Sequence, residues 1–549
     1  MEKKINKNAR SLIKNKEISL NFSLALKRIR KDMLRDEWFL DPLHYKDVLD
    51  VKKIEGYFKN KISNYLGSES EQYNLPKPGF ILRYALETSI YDRILYQAII
   101  DPLIELYDPI FSIKSYSHRL RPGFKKDIFY NGTEAWKRFI NDVESEMTVG
   151  KILLVTDIQN YFEYIDIKIL ENTFNFINPN AAKKMAMHIG LLTKLLRKWS
   201  PYKEIGIPQN QDPSSFLGNL YLHQVDQEMV SKGYNYFRYM DDIRIVCDNE
   251  YQARLALKNL IVKLRTLRMN VNSKKTKILD PSKDSEAYFE EMPPPNRQIE
   301  EIDALFKAKR LTSLQKALPK LKSFTSELIK QGKTSNREFR FCTYRLEKIA
   351  RCKELNFDFS HIKRPIIDLL HLQPWSTDAV VKILRSIKLN HKDVEKITSF
   401  FSDQHKNIYE WQAYLVWQLL AIITKKRKRK NRNLATLARK ILKEPGNWHA
   451  PMNAGAILYL GACGTDGDKL KLLKCTKTVK SRMELRAITI ATHKAAKKHI
   501  EKYIYPHVSG EVRDEYDYLR SSEIGFDYFE PLPNLSAREL YDDLPGVYL

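Results

Sequence analysis

Three consecutive prolines, Pro293, Pro294 and Pro295, divide this chain into two stretches that obey different rules. Proline has no amide hydrogen to donate, and its ring pushes the preceding residue away from helical angles, so no helix or central strand runs through this point. The prolines lie in a polar run, PSKDSEAYFEEMPPPNRQ, at residues 281–298. Before it, over residues 77–280, apolar positions switch repeatedly between the alternation of strands and the 3.6-residue period of helices. After it the period is helical almost throughout, in segments such as TDAVVKILRSI, EWQAYLVWQLLAII, AGAILYLGACG and ELRAITIATHKAAKKHI. An α+β unit followed by an all-α unit is the expected architecture.

The expected division is an N-terminal helical segment at 1–70, an α+β domain at 71–285, a linker at 286–298, a helical domain at 299–510 and an acidic tail at 511–549. Helix pairs recur at about 35–45 residues, the spacing of an α-solenoid of HEAT type. No exact internal repeat is present, and a plain helical bundle satisfies the same pattern.

Charge narrows the partners. Across 549 residues the chain carries a formal charge of +26, which favours a polyanion. An anionic membrane is a poor candidate: the longest apolar run, residues 413–423, contains Gln418 and falls short of the ~20 residues a spanning helix needs. The opening MEKKINKNARSLIKNK has no apolar core of a secretory signal, so a cytoplasmic location is expected. Five cysteines without a CxxC pair read as reduced thiols. The run KKRKRKNR at 425–432 is either a solvated loop or a contact for RNA phosphates. Residues 511–549 hold ten acidic and three basic side chains, a net of −7 against +33 for the rest. Such a tail either folds onto the basic body, meets another subunit or stays solvated.

Within the first half, FRYMDDIRIV places Asp241 and Asp242 between two apolar arms that read as strands. Adjacent like charges gain little in an ordinary turn, although Asp is a common turn residue. Paired hard oxygens suit Mg²⁺. A second strand, ILLVTD, ends in Asp157 and supplies the carboxylate that a single hairpin lacks. Nucleotidyl transfer needs such a set, because bridging carboxylates hold two ions ~3.5–4 Å apart.

These residues resemble reverse transcriptases. YMDD is similar to the family's catalytic hairpin and TDIQNYFEYID to its first aspartate block. GIPQNQDPSSFLGNLYLHQVD, LRMNVNSKKTKIL, FSIKSYSHRLRP and the spacing of Arg83 from Asp92 and Arg93 match further blocks in the expected order. Two departures stand out: Asn210 replaces the usual glycine after Gln209, and YALETSIY replaces the usual fingers-loop sequence.

The resemblance implies a right-hand polymerase with fingers and a ferredoxin-like palm sheet, followed here by the HEAT-like helical domain. It implies that Asp157, Asp241, Asp242 and the backbone carbonyl of Ile158 hold two Mg²⁺ ions, with Mn²⁺ as a substitute. Phe162 matches the steric gate that favours dNTPs, though an ordinary core Phe fits the same pattern. Gln209 and Tyr239 would lie along the substrate, Arg83 would bind triphosphate, and Lys275 would serve the leaving pyrophosphate as a catalytic group. Implied partners are an RNA template or non-coding RNA, dNTPs, a DNA product and further copies of the chain, as a trimer or hexamer. The helical C-terminal half is similar to that of bacterial abortive-infection and defence-associated enzymes, which implies an antiphage role. Synthesis of the retron or mobile-element type and a catalytically silent RNA-binding scaffold are the alternatives.

Overall fold

A computed structural model describes residues 12–15, 18–35, 38–43, 45, 50–59, 61–123, 127–294, 296–334, 336–403, 405–426, 432–443, 450–508, 511–521 and 534–542. Strands β1 (Leu12–Asn15) and β2 (Ile18–Asn21) form a hairpin that runs into helix Phe22–Arg35. A second hairpin joins β3 (Glu71–Pro76) to β4 (Leu82–Glu87). The central sheet contains β5 (Ile152–Asp157), β6 (Asn235–Tyr239), β7 (Asp242–Cys247) and β8 (Lys277–Leu279), in the spatial order β6–β7–β5–β8 and antiparallel throughout. All six residues of β5 are buried, which is why its sequence is an unbroken apolar run up to Thr156. Helices Gly132–Glu146 and Glu250–Thr266 pack on this sheet and supply the cover that such a strand requires.

The segment expected to be a helical N-terminus is mixed and is no separate unit. Ile18 and Leu20 alternate with polar residues and pair as a strand, a two-residue period too short to compete with the strong helical pattern that follows. Ile18, Leu20, Phe22, Leu26 and Ile29 then join the core that surrounds the sheet. The expected linker is structured on both sides of residue 295, which lies outside the described residues. Helix Ser285–Glu291 precedes the prolines, Met292 is buried in the first core, and Asn296 caps the next helix, Arg297–Lys307.

A second core lies in the helical half, and it reaches back across the chain. Helices Arg337–Arg351, Thr377–Ser386, Glu410–Lys426, Ala450–Cys463, Arg482–Thr492 and Glu511–Ser521 pack in a row, each against the next. Two close approaches in that row need glycine. A Cβ on Gly455 would stand 2.7 Å from Trp417, and one on Gly461 2.5 Å from Ala491. The same core takes in Phe39, Leu43, Tyr73, Leu75 and Ala85. The β3–β4 hairpin thus belongs by packing to the helical half, against the expected boundary at residue 71. An isolated two-stranded hairpin is marginal in water, and these helices supply its missing layer. Hydrogen bonds from Trp411 to the Trp38 carbonyl (2.7 Å) and from Tyr414 and Gln418 to that of Leu40 (3.0 and 2.9 Å) tie the segment before it to the same helices.

The described start of the acidic tail folds back, with Glu515 accepting from Arg486 at 3.0 Å beside Asp41. The rest of the tail, residues 522–533 and 543–549, and most of the basic run, residues 427–431, lie outside the described residues. Among the described residues no helix is long and apolar enough to cross a membrane.

Candidate active site at the end of β5 and the β6–β7 turn

The register of the sheet brings the aspartates together. Asp157, the last residue of β5, stands opposite Asp242, the first of β7, and Asp241 occupies the turn just before it. The ends are pinned by main-chain bonds: Ile158 donates to the Asp241 carbonyl (3.1 Å) and Asn272 to that of Asp157 (2.7 Å). Met240 adopts φ +57°, a left-handed angle that costs a side-chain-bearing residue on the order of 1–3 kcal/mol and persists only where its surroundings impose it. Those surroundings centre on Arg238. Its buried guanidinium binds both oxygens of Asp226 (2.7 and 2.6 Å), the Met240 carbonyl (2.9 Å), Asn219 (3.0 Å) and Ser115 (3.0 Å). Both partners lie inside the quoted motifs, but their roles were not evident in the sequence.

The three carboxylates feel one another. Burial, followed by the charges of Asp242 and Asp157, pushes Asp241 up to about 7. Burial raises Asp242 too, opposed chiefly by Arg244. Among the described residues no three acidic, histidine or cysteine side chains converge closely enough to cage a metal ion. Instead the Lys275 ammonium donates to Asp157 Oδ2 at 2.7 Å. Burial works against that ammonium's charge, but the bond to Asp157 and the nearby aspartates prevail and raise its pKa. As a donor set the residues fit a hard divalent cation: oxygen ligands, delivered by two strands, whose mutual repulsion a cation would offset.

Two basic residues stand on the β3–β4 hairpin, one of them within reach of the charge of Asp241. Arg83 on β4 lies 5.6 Å from the ring centre of Trp38. Lys77, at the turn of the same hairpin, is lowered in pKa by burial and by the charges of Arg83 and Lys275, against the pull of Glu163 and Asp241. Lys77 was missed in the sequence, although PKPG reads as a turn between two strands. The turn is closed by Lys77 donating to Ile81 (2.8 Å), with Gly79 and Phe80 both at positive φ.

The remaining candidates divide. Phe162 is half-buried on the short turn Tyr161–Glu163 that follows Asp157, its carbonyl accepting from Ile207 at 3.1 Å. Gln209 is buried with its amide 3.5 Å from Glu163. Its neighbour Asn210 has φ +58°, so asparagine stands where the backbone would otherwise ask for glycine, and it is among the residues that tolerate that angle. Tyr239 points inward, edge-on to Trp136 at 5.0 Å with its hydroxyl donating to Gly132. Asp92 and Arg93 serve the framework instead. Asp92 accepts from Tyr65, Ser68 and Trp199, and Arg93 pairs with Asp32 at 3.1 Å.

Residues 75–329 match the model of the family described as reverse transcriptase (RNA-dependent DNA polymerase). The match continues past the prolines into helix Leu311–Lys330, beyond the expected domain end at 285. No curated protein sequence matches the chain. Solved structures that overlap it include apo telomerase from Candida tropicalis truncated from its C-terminal domain (12% identity, 41% of this chain and 54% of that one, TM-score 0.29). Others are telomerase from Candida albicans with a fragment of telomeric RNA (9%, 70% and 67%, 0.31) and apo telomerase from Candida tropicalis (13%, 83% and 70%, 0.31). The chain spans about half the length of the first of these, and overlaps this loose carry no argument. Residues 75–329 are a reverse transcriptase domain of right-hand polymerase type, the domain of RNA-directed DNA polymerases, which are nucleotidyltransferases.

Proposed function

We propose that this chain synthesises DNA from dNTPs at the cluster of Asp157, Asp241 and Asp242, in the service of antiphage defence. The observation that carries the catalytic part is the register that sets Asp157 against Asp242, with Asp241 in the turn beside them driven up by burial and by both charges. Asp157, Asp241, Asp242 and the Ile158 carbonyl would hold two Mg²⁺ ions, which when bound lower the pKa of a 3′-hydroxyl and neutralise triphosphate charge.

The chain's own groups do the rest. Lys77 and Arg83 would grip a triphosphate from the β3–β4 hairpin, and Lys275 would exchange its Asp157 bond for one to the departing pyrophosphate. In the reaction the 3′-hydroxyl gives its proton to water, its oxygen bonds to the α-phosphorus, the bond to pyrophosphate breaks, and the Lys275 ammonium would supply the proton that the leaving group takes up and regain one from solvent. Phe162, half-exposed five residues after Asp157, would close the space that a 2′-hydroxyl needs. Gln209 would lie along the nucleotide. The row of helices, each packed on the next, supports the reading of the C-terminal half as a HEAT-like repeat. With the acidic tail, it would supply surfaces for a homo-oligomer, trimeric or hexameric, and for RNA. The defence role rests on the resemblance of this architecture to abortive-infection enzymes.

The test is dNTP incorporation by the purified full chain in Mg²⁺, with an RNA template and without one. Labelled product sensitive to DNase is expected in at least one arm. No incorporation in either, by folded protein in Mg²⁺ or Mn²⁺, would return the chain to the class of silent scaffolds.

A further inference from the structure

Trp136, on helix Gly132–Glu146 of the first core, carries two guanidinium groups. Arg244, from β7, lies 5.6 Å from its ring centre, and Arg337 lies 4.6 Å from it. Arg337 is the first residue of helix Arg337–Arg351 in the helical half, and it falls outside the reverse transcriptase match. The indole also meets Phe139 and Tyr239, the latter edge-on at 5.0 Å. Tyr239 is the last residue of β6 and the register partner of Asp242. The strained Met240 and Asp241 form the turn between them. A continuous set of contacts therefore runs from the helical half through one indole to the turn that presents the aspartates.

Electrostatics follows the same path. Around Trp136 two cations, the buried Arg244 and the half-buried Arg337, feel two acids, Asp242 and Glu291; Arg244 also donates to the Glu291 carbonyl at 3.0 Å. Removing Arg337 would leave an indole face open and take one positive charge from the neighbourhood of Asp242. A desolvated cation over an indole contributes up to ~2 kcal/mol, enough to decide how one turn is held.

We infer that Arg337 is a positioning residue: stacked on Trp136, it makes the helical half hold the β6–β7 turn, and with it Asp241 and Asp242, in place. The helical half is then part of the catalytic apparatus as well as a platform for partners. This inference rests on the proposed polymerase reading only where activity is measured.

The experiment uses the full chain as Arg337→Met and Arg337→Lys, with Arg340→Met as the matched loss of charge on the exposed side of the same helix. Hydrogen exchange of the amides at 239–243 reads the turn directly. Arg337→Met should speed it about tenfold, Arg337→Lys should restore most of the protection, and Arg340→Met should leave it unchanged. In dNTP incorporation, kcat should fall about tenfold in Arg337→Met while the KM for dNTP stays within about twofold. Unchanged exchange at the turn in folded Arg337→Met overturns the inference. So does a loss of protection spread evenly over the helical half, which would mark Arg337 as merely structural. The exchange arm reports whether or not the wild type incorporates dNTPs, so failure of the coupling and failure of the polymerase reading are told apart.

Discussion

The two cores bury charge for different ends. In the helical half, buried charges sit against opposite charges. Arg345 meets Asp303, Arg351 meets Glu347 at 3.1 Å, and Arg486 meets Asp41 and Glu515 at 3.0 Å each. In the sheet half, Arg238 and Asp226 are matched in the same way, yet at the adjoining strand ends three carboxylates share one neighbourhood, and burial followed by the other two charges pushes Asp241 up to about 7. A matched buried pair holds segments together. Like charges gathered at the ends of two strands, on a turn with a left-handed Met240, lower stability and are understood only through what they could bind.

The largest effects should come from unpairing a buried charge. Asp226→Ala leaves Arg238 without its partner and should cost about 3–5 kcal/mol in chemical denaturation. Asp303→Ala should cost a comparable amount by stranding Arg345, but it should spare dNTP turnover per folded molecule, whereas Asp226→Ala should lose it with the hairpin. Equal losses of turnover would erase the distinction between the halves.

Next in size is the gate. Phe162→Ala should cut discrimination against rNTPs by ~1–3 kcal/mol, measured as the ratio of kcat/KM for a dNTP and its ribose counterpart. An unchanged ratio would make Phe162 a core residue. Smaller again, Lys77→Ala or Arg83→Ala should raise the KM for dNTP about tenfold with less effect on kcat, the worth of one charge-assisted bond.

The smallest effect concerns the seam between the halves. Glu87 on β4 accepts from Arg482 at 3.2 Å through its carbonyl, while burial pushes its carboxyl up to about 7, with Arg93 and Arg482 opposing. Because the unfolded chain gives up this proton first, near pH 4.5, stability should fall as pH rises from there to about 7 and then level off. Glu87→Gln should flatten that decline, by on the order of 1 kcal/mol, in urea titrations at pH 5 and pH 8.

Much of the site was legible because its parts are local. ILLVTD and FRYMDDIRIV are short apolar runs ending in carboxylates, and a run of that kind can be recognised without knowing its neighbours. What stayed hidden depended on pairing across distance. Nothing near Trp38 or β3 announces that they pack on helix Glu410–Lys426, hundreds of residues later. Lys77 gains meaning only when it is seen to feel the charges of Lys275 and Asp241, and Arg238 only when Asp226 is seen to clamp it. The prolines marked a real change of core, with Met292 in the first and Ile299 in the second, but chain order hid that the family match runs past them and that Phe39, Leu43 and the β3–β4 hairpin pack with the far side.

The central claim is that DNA synthesis takes place at Asp241 and its neighbours. Asp241→Asn keeps the shape of the turn and removes one of the three crowded charges. We expect the variant to fold, with a melting temperature equal to or above that of the wild type, and to lose dNTP incorporation by about 10³-fold or more, the several kcal/mol that metal ions provide in such reactions. Folded Asp241→Asn protein that incorporates dNTPs at the wild-type rate would contradict the account.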